Sequence, residues 1–194
     1  MKTKKLVISL LFVVIAVTSM VGCTTKTEYD DRQVVKIETQ MHNGEGFVGY
    51  RMRLFNFESG TVMDKAVVSD IEFNYLLELY VYCPSDYSEY KSIEQYREYL
   101  LSCYNVPILV AEFSQEDCIG FVSAAQSFGI YTWQDNYIDN SICDATNQYV
   151  IITFADGTSK TTRCYNKYPQ DFEKVETAFK DYFNVGAWCE LRLK

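Results

Sequence analysis

The stretch "YVIITFADGTSKTTRCY", residues 149–165, decides the fold of this chain. It predicts two β-strands that meet at Asp156-Gly157, because Asp-Gly is one of the residue pairs that the tight turn of a β-hairpin favours. Such a turn holds the two strands side by side in opposite directions. The sequence therefore predicts an antiparallel sheet in its C-terminal half.

Three more strands are predicted at the start of the domain. Apolar and polar residues alternate over residues 35–42, which is the period of a half-buried strand. A turn at Asn43-Gly44-Glu45-Gly46 leads into residues 47–57, where the alternation resumes. A second turn at residues 58–60 leads into residues 61–68. Together these stretches predict a meander of three strands.

Serine residues mark the starts of three predicted helices. Ser69 and the glutamate three residues later have the pattern of a capping box, although residues 79–83 ("LYVYC") could equally be extended. Ser92 opens a second helix with a similar pattern. Ser114 opens a third, and Gly129 stands where a left-handed terminating residue belongs.

Pro169 is expected to open a fourth helix, because its fixed φ angle suits the first helical turn. Residues 106–113 ("VPILVAEF") and 187–193 ("AWCELRL") are predicted as strands. Strands and helices thus occur in mixed order. We expect a single α+β domain over residues 34–194: an antiparallel sheet built from hairpins, with about four helices packed on one face.

The N-terminus has the anatomy of a secretory signal. Lys2, Lys4 and Lys5 precede an apolar stretch of 12 residues, 6–17, and smaller residues follow up to Gly22. This stretch is short for a helix that must span ~30 Å of hydrocarbon. We therefore expect residues 1–22 to be a cleaved signal peptide, with an uncleaved N-terminal anchor as the alternative.

The segment Met20-Val21-Gly22-Cys23 resembles the bacterial lipoprotein box, although Met20 replaces the usual leucine. The resemblance implies that the Cys23 sulfur receives a diacylglycerol and that Cys23 becomes the first residue of the mature chain. Two acyl chains suffice for stable attachment to a membrane. We expect residues 23–33 to be a lipidated tether and the domain to lie at the extracytoplasmic face of the cell membrane.

The charge of the chain excludes some partners. Removal of residues 1–22 takes away three basic and no acidic side chains, so the mature chain carries 15 basic and 26 acidic ones, a net charge of −11. A nucleic-acid partner is not expected, because phosphate binding needs clustered Lys and Arg. Anionic lipid headgroups should also repel this surface, which leaves the lipid anchor as the membrane attachment.

Six cysteines follow Cys23, and two interpretations of them remain open. An even number in an exported domain suggests disulfides, in a pairing that the sequence does not specify. Alternatively, the thiols are buried as small hydrophobic groups. No two cysteines have the C-x-x-C spacing that zinc and thioredoxin-type sites use. These cysteines are Cys83, Cys103, Cys118, Cys143, Cys164 and Cys189.

The sequence contains little that points to catalysis. His42 is the one histidine and is expected at the polar face of the first strand, which excludes catalytic triads and multi-histidine metal sites. Asp135, Asp139 and Asp144 lie in one loop, but their spacing does not match a calcium loop and favours turn residues. We expect no metal and no cofactor. A hydrolase that uses two carboxylates remains the alternative function.

Tyrosine is unusually frequent, with 16 residues in the chain and eight of them within residues 75–104. Tyrosine gives rigid apolar area with a polar tip, which suits a surface that binds protein or glycan. The alternative is that these rings complete a core, as Trp133 could also do. We take Tyr87, Tyr90, Trp133 and Tyr137 as the candidate binding surface.

The stretches "IYTWQDNY" (130–137) and "DATNQYVIITFADGTSKTTRCYNKYPQDFEKVETAF" (144–179) resemble a recurrent module of uncharacterised exported lipoproteins of gut bacteria. The shared elements are a Trp after a helix, an Asp-containing turn, an Asp-Gly hairpin and Asn-x-Tyr-Pro before a helix. Here they are Trp133, Asp144, Asp156, Gly157, Asn166, Tyr168 and Pro169. The resemblance implies the fold and an exported location, and it brings no catalytic residue with it. The expected function is therefore a membrane-anchored, non-catalytic module that binds a protein or glycan.

Overall fold

The computed structural model describes residues 33–42, 48–141 and 146–189, all within one compact unit. These residues form seven strands and four α-helices. The strands are β1 (Val34–His42), β2 (Tyr50–Asn56), β3 (Thr61–Val67), β4 (Ile108–Glu112), β5 (Asn136–Ile138), β6 (Asn147–Phe154) and β7 (Ser159–Tyr165). The helices are α1 (Asp70–Tyr82), α2 (Ile93–Cys103), α3 (Gln115–Ser127) and α4 (Phe172–Phe183). None of the helices in this part of the chain has the length and apolar character needed to cross a bilayer.

All seven strands belong to one sheet, in the order β4-β3-β2-β1-β6-β7-β5. Every neighbouring pair is antiparallel except β5 and β7, which are parallel. The predicted hairpin of β6 and β7 turns at Asp156-Gly157, and Gly157 has the positive φ that such a turn requires. The predicted α+β fold is thus confirmed.

The core lies on one face of the sheet. Alternate side chains of β3, β6 and β7 are buried, while those between them are half-buried or exposed. Helices α3 and α4 cover the buried face with Phe121, Phe179 and Phe183. The rings of Phe121 and Phe179 are 4.6 Å apart, and Phe179 lies 4.5 Å from Phe55 of β2. This phenylalanine layer joins the two helices to the centre of the sheet.

The helix starts follow the predicted serine caps. Ser69 and Ser114 each form a capping box, with Glu72 and Asp117 respectively. Ser92 caps α2 in a different way: its hydroxyl accepts from the backbone N–H of Gln95, but the Gln95 side chain accepts from Lys91 rather than from Ser92. The open choice for residues 79–82 is settled as helix, because α1 continues to Tyr82.

Two predicted boundaries are wrong. Helix α4 begins at Phe172 rather than at Pro169, because Pro169 is buried and starts a turn that closes with the Phe172 N–H donating to the Pro169 carbonyl. Residues 187–189 are not a strand. Side chains on the buried face of the sheet donate to the backbone carbonyls of Gly186 and Ala187 instead. The rest of the predicted strand, residues 190–193, lies outside the described residues.

The contacts of this segment include a buried ion pair. Arg53 of β2 and Asp64 of β3 face each other directly, and the guanidinium donates to both carboxylate oxygens at 2.6 and 2.7 Å. Both side chains are almost fully buried. Arg53 also donates to the carbonyl of Gly186 at 2.6 Å, and the Thr39 hydroxyl donates to that of Ala187. The pair therefore joins the sheet to the segment that follows α4.

Replacement of Arg53 by alanine should destabilise the domain by about 3–5 kcal/mol, because it leaves the Asp64 carboxylate buried without its partner. Urea unfolding measures the change. The control is Lys174→Ala, which breaks the more exposed Lys174–Asp171 pair and should cost only about 0–1 kcal/mol. Equal losses in the two variants would contradict a structural role for the buried pair.

Candidate binding surface

Exposed apolar side chains are concentrated in one part of the chain. Of the twelve large apolar side chains that are exposed among the described residues, nine lie within residues 71–110. We call these nine the helical surface: Ile71, Tyr75, Val81, Tyr82, Leu101, Val106, Ile108, Leu109 and Val110. They belong to α1, to α2 and to the edge strand β4 with its approach.

Helix α1 carries the most exposed members. Ile71, Tyr75 and Tyr82 are spaced by four and seven residues, so they lie on one face of the helix. The Ile71 and Tyr82 side chains are 82% and 78% exposed, while Leu76 is the buried residue of α1. A helix that only covers a core has polar residues on its solvent side. Glu78 also lies on this face, so the face combines three exposed apolar side chains with one carboxylate.

A groove of about 720 Å³ lies between α1 and α2. Its buried and half-buried lining residues are mostly apolar, and they include Val68, Phe73 and Leu77. Its exposed lining residues are polar except for Leu101. The polar ones are Asp70, Asn74, Glu94, Arg97 and Asn105. Ligand sites in proteins commonly combine an apolar floor with a few polar groups in this way.

A cluster of tyrosines packs α1 against α2. The rings of Tyr80, Tyr87, Tyr90 and Tyr99 all lie within 6.3 Å of the Tyr96 ring, which is buried. The Tyr80 hydroxyl donates to the carbonyl of Tyr90 at 3.2 Å. Burial and the neighbouring Tyr87 raise the pKa of Tyr96 well above its usual range. We call these five residues the tyrosine cluster.

The tyrosine cluster corrects part of the sequence-based picture. We call α1 and α2, with the residues between them, the helical pair. Tyr96 and Tyr104 belong to its core, with Leu76 and Leu100. Tyr87 and Tyr90, the predicted binding residues, are half-buried because they pack against Tyr96. Much of the tyrosine-rich stretch is thus core, as the alternative interpretation held.

Trp133 and Tyr137 lie elsewhere in the fold. Trp133 is only 6% exposed and packs 5.8 Å from the ring of Phe172, so little of the indole can contact a ligand. Tyr137 is half-buried in β5, and its hydroxyl accepts from the backbone N–H of Gln134. Four strands separate β5 from β3, which leads into α1, so roughly 24 Å separates these strands at ~4.8 Å per strand. The four predicted residues therefore do not form one surface.

His42 is held among aromatic rings on the outer face of the sheet. Its ring stacks on Tyr50 with centroids 4.6 Å apart, and Tyr149 approaches edge-on at 5.1 Å. Its Nε2 is 3.0 Å from the Gln40 side-chain oxygen. Burial lowers the pKa of His42, while the Glu72 carboxylate acts in the opposite direction. His42 is therefore more enclosed than the surface residue that the sequence predicted.

The acidic loop shows turn chemistry at Asp139. Its carboxylate accepts from the backbone N–H of Ser141 at 2.9 Å. Hydrogen bonds from the Ser141 side chain and from its backbone lower the pKa of Asp139. Asp135 is exposed and lies 3.8 Å from the Lys160 ammonium. Asp144 is outside the described residues. In the described ranges there is no group of three His, Cys, Asp or Glu side chains that could hold a metal ion.

The cysteines form no disulfide with one another in the part of the chain that the structure describes. Cys118 and Cys164 are buried thiols, and burial raises the pKa of Cys164 to about 11. Cys83 is exposed and Cys103 is half-buried. Cys143 is outside the described residues. Burial of Cys118 and Cys164 agrees with the hydrophobic interpretation for these two residues, and a disulfide in the exported protein stays a prediction.

Comparison with known proteins gives no relative. No family model, no curated protein and no solved structure matches the chain. The resemblance to exported lipoproteins of gut bacteria therefore stays a prediction.

The pKa of His42 should lie below 6.5, its ordinary value, because the folded state shields the ring from water. A depressed folded-state pKa means that the unfolded chain binds the proton more readily. The contribution of neutral His42 to the free energy of unfolding should thus be fully present above pH 6.5. It should be lost as the pH falls from 6.5 to the pKa of the folded state. An NMR titration measures this directly, since His42 is the one histidine in the sequence.

The Tyr50→Ala variant should move the His42 midpoint up, because it removes the stacked ring. Tyr168→Ala, which changes an exposed tyrosine elsewhere, is the matched control and should leave the midpoint in place. A midpoint at or above 6.5 in the unmodified protein would contradict the enclosed position of His42.

Proposed function

We propose that this protein is a membrane-anchored extracytoplasmic lipoprotein that binds another protein through its helical surface. A protein or glycan ligand was expected from the sequence. The apolar character of the helical surface favours a protein, because sugar ligands present many hydroxyl groups that need polar partners. The proposed role requires no cofactor and no catalytic residue.

The observation that carries the proposal is the uneven distribution of exposed apolar side chains. Residues 71–110 hold nine of the twelve in the described chain, together with the groove between α1 and α2. Single exposed apolar residues are normal on a protein surface, but Ile71, Tyr75 and Tyr82 share one exposed face of α1. Burial of exposed tyrosine and leucine side chains against a partner removes apolar surface from water, which favours binding.

The lipid anchor supports the same role. A diacyl group on Cys23 would hold the domain close to the membrane through the tether of residues 23–33. Other exported proteins are concentrated at the same membrane. Attachment to one surface raises the effective concentration of a partner on that surface. A modest affinity would then suffice for a stable complex.

Lipid modification at Cys23 is expected to appear in the intact mass of protein extracted from membranes. The mature chain should begin at Cys23 and carry the mass of a diacylglycerol. The Cys23→Ala variant should remain as an unprocessed precursor or be released from the membrane. A chain that begins at Met1, or at Cys23 without lipid, would contradict the anchor.

Photo-crosslinking tests the binding role. A photoreactive amino acid at Tyr82 or Leu101 should give discrete protein adducts in membranes of the producing organism, because these side chains are 78% and 55% exposed on the helical surface. The matched controls are Tyr168 and Ile119, which are 45% and 64% exposed but lie outside that surface. These positions should give no adduct.

Adducts of equal yield at all four positions would show non-specific contact and overturn the proposal. Absence of protein adducts at Tyr82 and Leu101, together with selective retention on an immobilised glycan, would replace the protein ligand by a glycan. Loss of stability cannot explain either result, because all four side chains are exposed in the folded state.

A further inference from the structure

The helical pair is strongly acidic as well as apolar. Residues 70–105 contain seven Asp or Glu side chains and two Lys or Arg side chains, a net charge of −5. The acidic ones are Asp70, Glu72, Glu78, Asp86, Glu89, Glu94 and Glu98, and the basic ones are Lys91 and Arg97. Nearly half of the net charge of the mature chain thus lies in 36 residues.

Two of these carboxylates line the groove, and two more lie one helical turn from residues that line it. Asp70 and Glu94 line it from α1 and α2, and both are exposed. Glu78 lies one helical turn after the lining residue Asn74 on α1, and Glu98 lies one turn after Glu94 on α2; both of these glutamates are exposed too. The lower part of the groove is apolar, with Val68 buried and Phe73 half-buried. The arrangement combines an apolar slot with an acidic rim.

We propose that this groove binds a basic amphipathic helix of a partner protein. The inference rests on the proposed protein-binding function and specifies the chemistry of the partner. The apolar face of the helix would lie along the slot between α1 and α2, and its Lys and Arg side chains would face the carboxylates of the rim. Recognition of this type uses apolar anchors at positions i, i+3, i+4 and i+7.

The geometry favours a helix over an extended peptide. An added strand needs unpaired backbone groups, and eight of the eleven lining residues belong to two α-helices, whose backbone groups bond within each helix. Outside the helices, the Val68 carbonyl accepts from the Asn105 side chain, and the Asn105 N–H donates to the Ala66 carbonyl. The groove therefore offers mainly side chains for contact, and a helix presents its own side chains in a row along one face. The slot is also bounded by Leu101, whose exposed side chain can pack against such a row.

The charge favours a basic partner. Carboxylates on both sides of an apolar slot attract Lys and Arg and repel acidic segments, which selects the partner and speeds association. Because the rim is exposed, this attraction should weaken as the salt concentration rises. Arg97 is the one cation among the residues that line the groove, so the net charge of the lining remains negative.

The test uses the lipidated mature protein in nanodiscs of neutral phosphatidylcholine, so that anionic lipid does not compete for the probe. Three synthetic peptides of equal length are compared by fluorescence anisotropy. The first is a helix with leucine at i, i+3, i+4 and i+7 positions and lysine elsewhere, the second replaces each lysine by glutamate, and the third is a scrambled form of the first. The first peptide should bind, and the other two should bind at least about tenfold more weakly.

Variants locate the site. Leu101→Asp and Glu98→Lys should each weaken binding of the first peptide about tenfold. Ile119→Asp and Asp181→Lys make the same kinds of change at exposed positions of α3 and α4 and should leave the affinity unchanged. Circular dichroism of each variant checks that the helices remain folded.

Equal binding of the basic and acidic peptides would overturn the charge argument, and equal binding of the scrambled peptide would overturn the helical one. An unchanged affinity in both Leu101→Asp and Glu98→Lys would exclude the groove. If no peptide binds while crosslinking at Tyr82 still yields a protein adduct, the partner chemistry is wrong and the binding function stands. If Tyr82 and Leu101 give no adduct, the binding function itself fails.

Discussion

The buried ion pair between Arg53 and Asp64 fixes the arrangement on which the fold depends. Two charges in an apolar core are tolerated only when they satisfy each other, and here the guanidinium also holds the Gly186 carbonyl. A slip of β2 against β3 by one residue would turn one partner to the outer face and leave the other buried alone. The pair therefore specifies the register between β2 and β3. It also sets where the chain runs after α4, whose phenylalanines form the core.

The two pairs of helices pack by different means. Helices α3 and α4 meet the sheet through phenylalanine, which can be buried completely: Phe55, Phe121 and Phe183 are no more than 1% exposed. Helices α1 and α2 meet through tyrosine, whose hydroxyl needs a polar partner or water. A cluster of tyrosines is therefore suited to the edge of a structure rather than to its centre.

Local sequence signals predicted the parts of the fold that depend on a few neighbouring residues. The Asp156-Gly157 turn and the serine caps at Ser69 and Ser114 act through hydrogen bonds or φ angles within four residues, so the sequence alone reveals them. The path of residues 186–187 depends on Arg53 and Thr39, more than 130 positions away, and could not be predicted in this way. The candidate surface could not be fully predicted for the same reason. The frequency of tyrosine indicates residues 75–104, but which of their rings are buried depends on how α1 packs against α2.

The edge strand β4 limits the manner in which a neighbour can attach. The register between β3 and β4 passes from Ala111 to Leu109 and skips Val110, and Pro107 precedes the strand. A bulge and a proline both interrupt the row of backbone groups that a foreign strand would need, which is how natural sheets avoid joining edge to edge. An unprotected edge would let copies of the chain join strand to strand into fibres. The exposed side chains of β4 can therefore take part in contacts while its backbone resists aggregation.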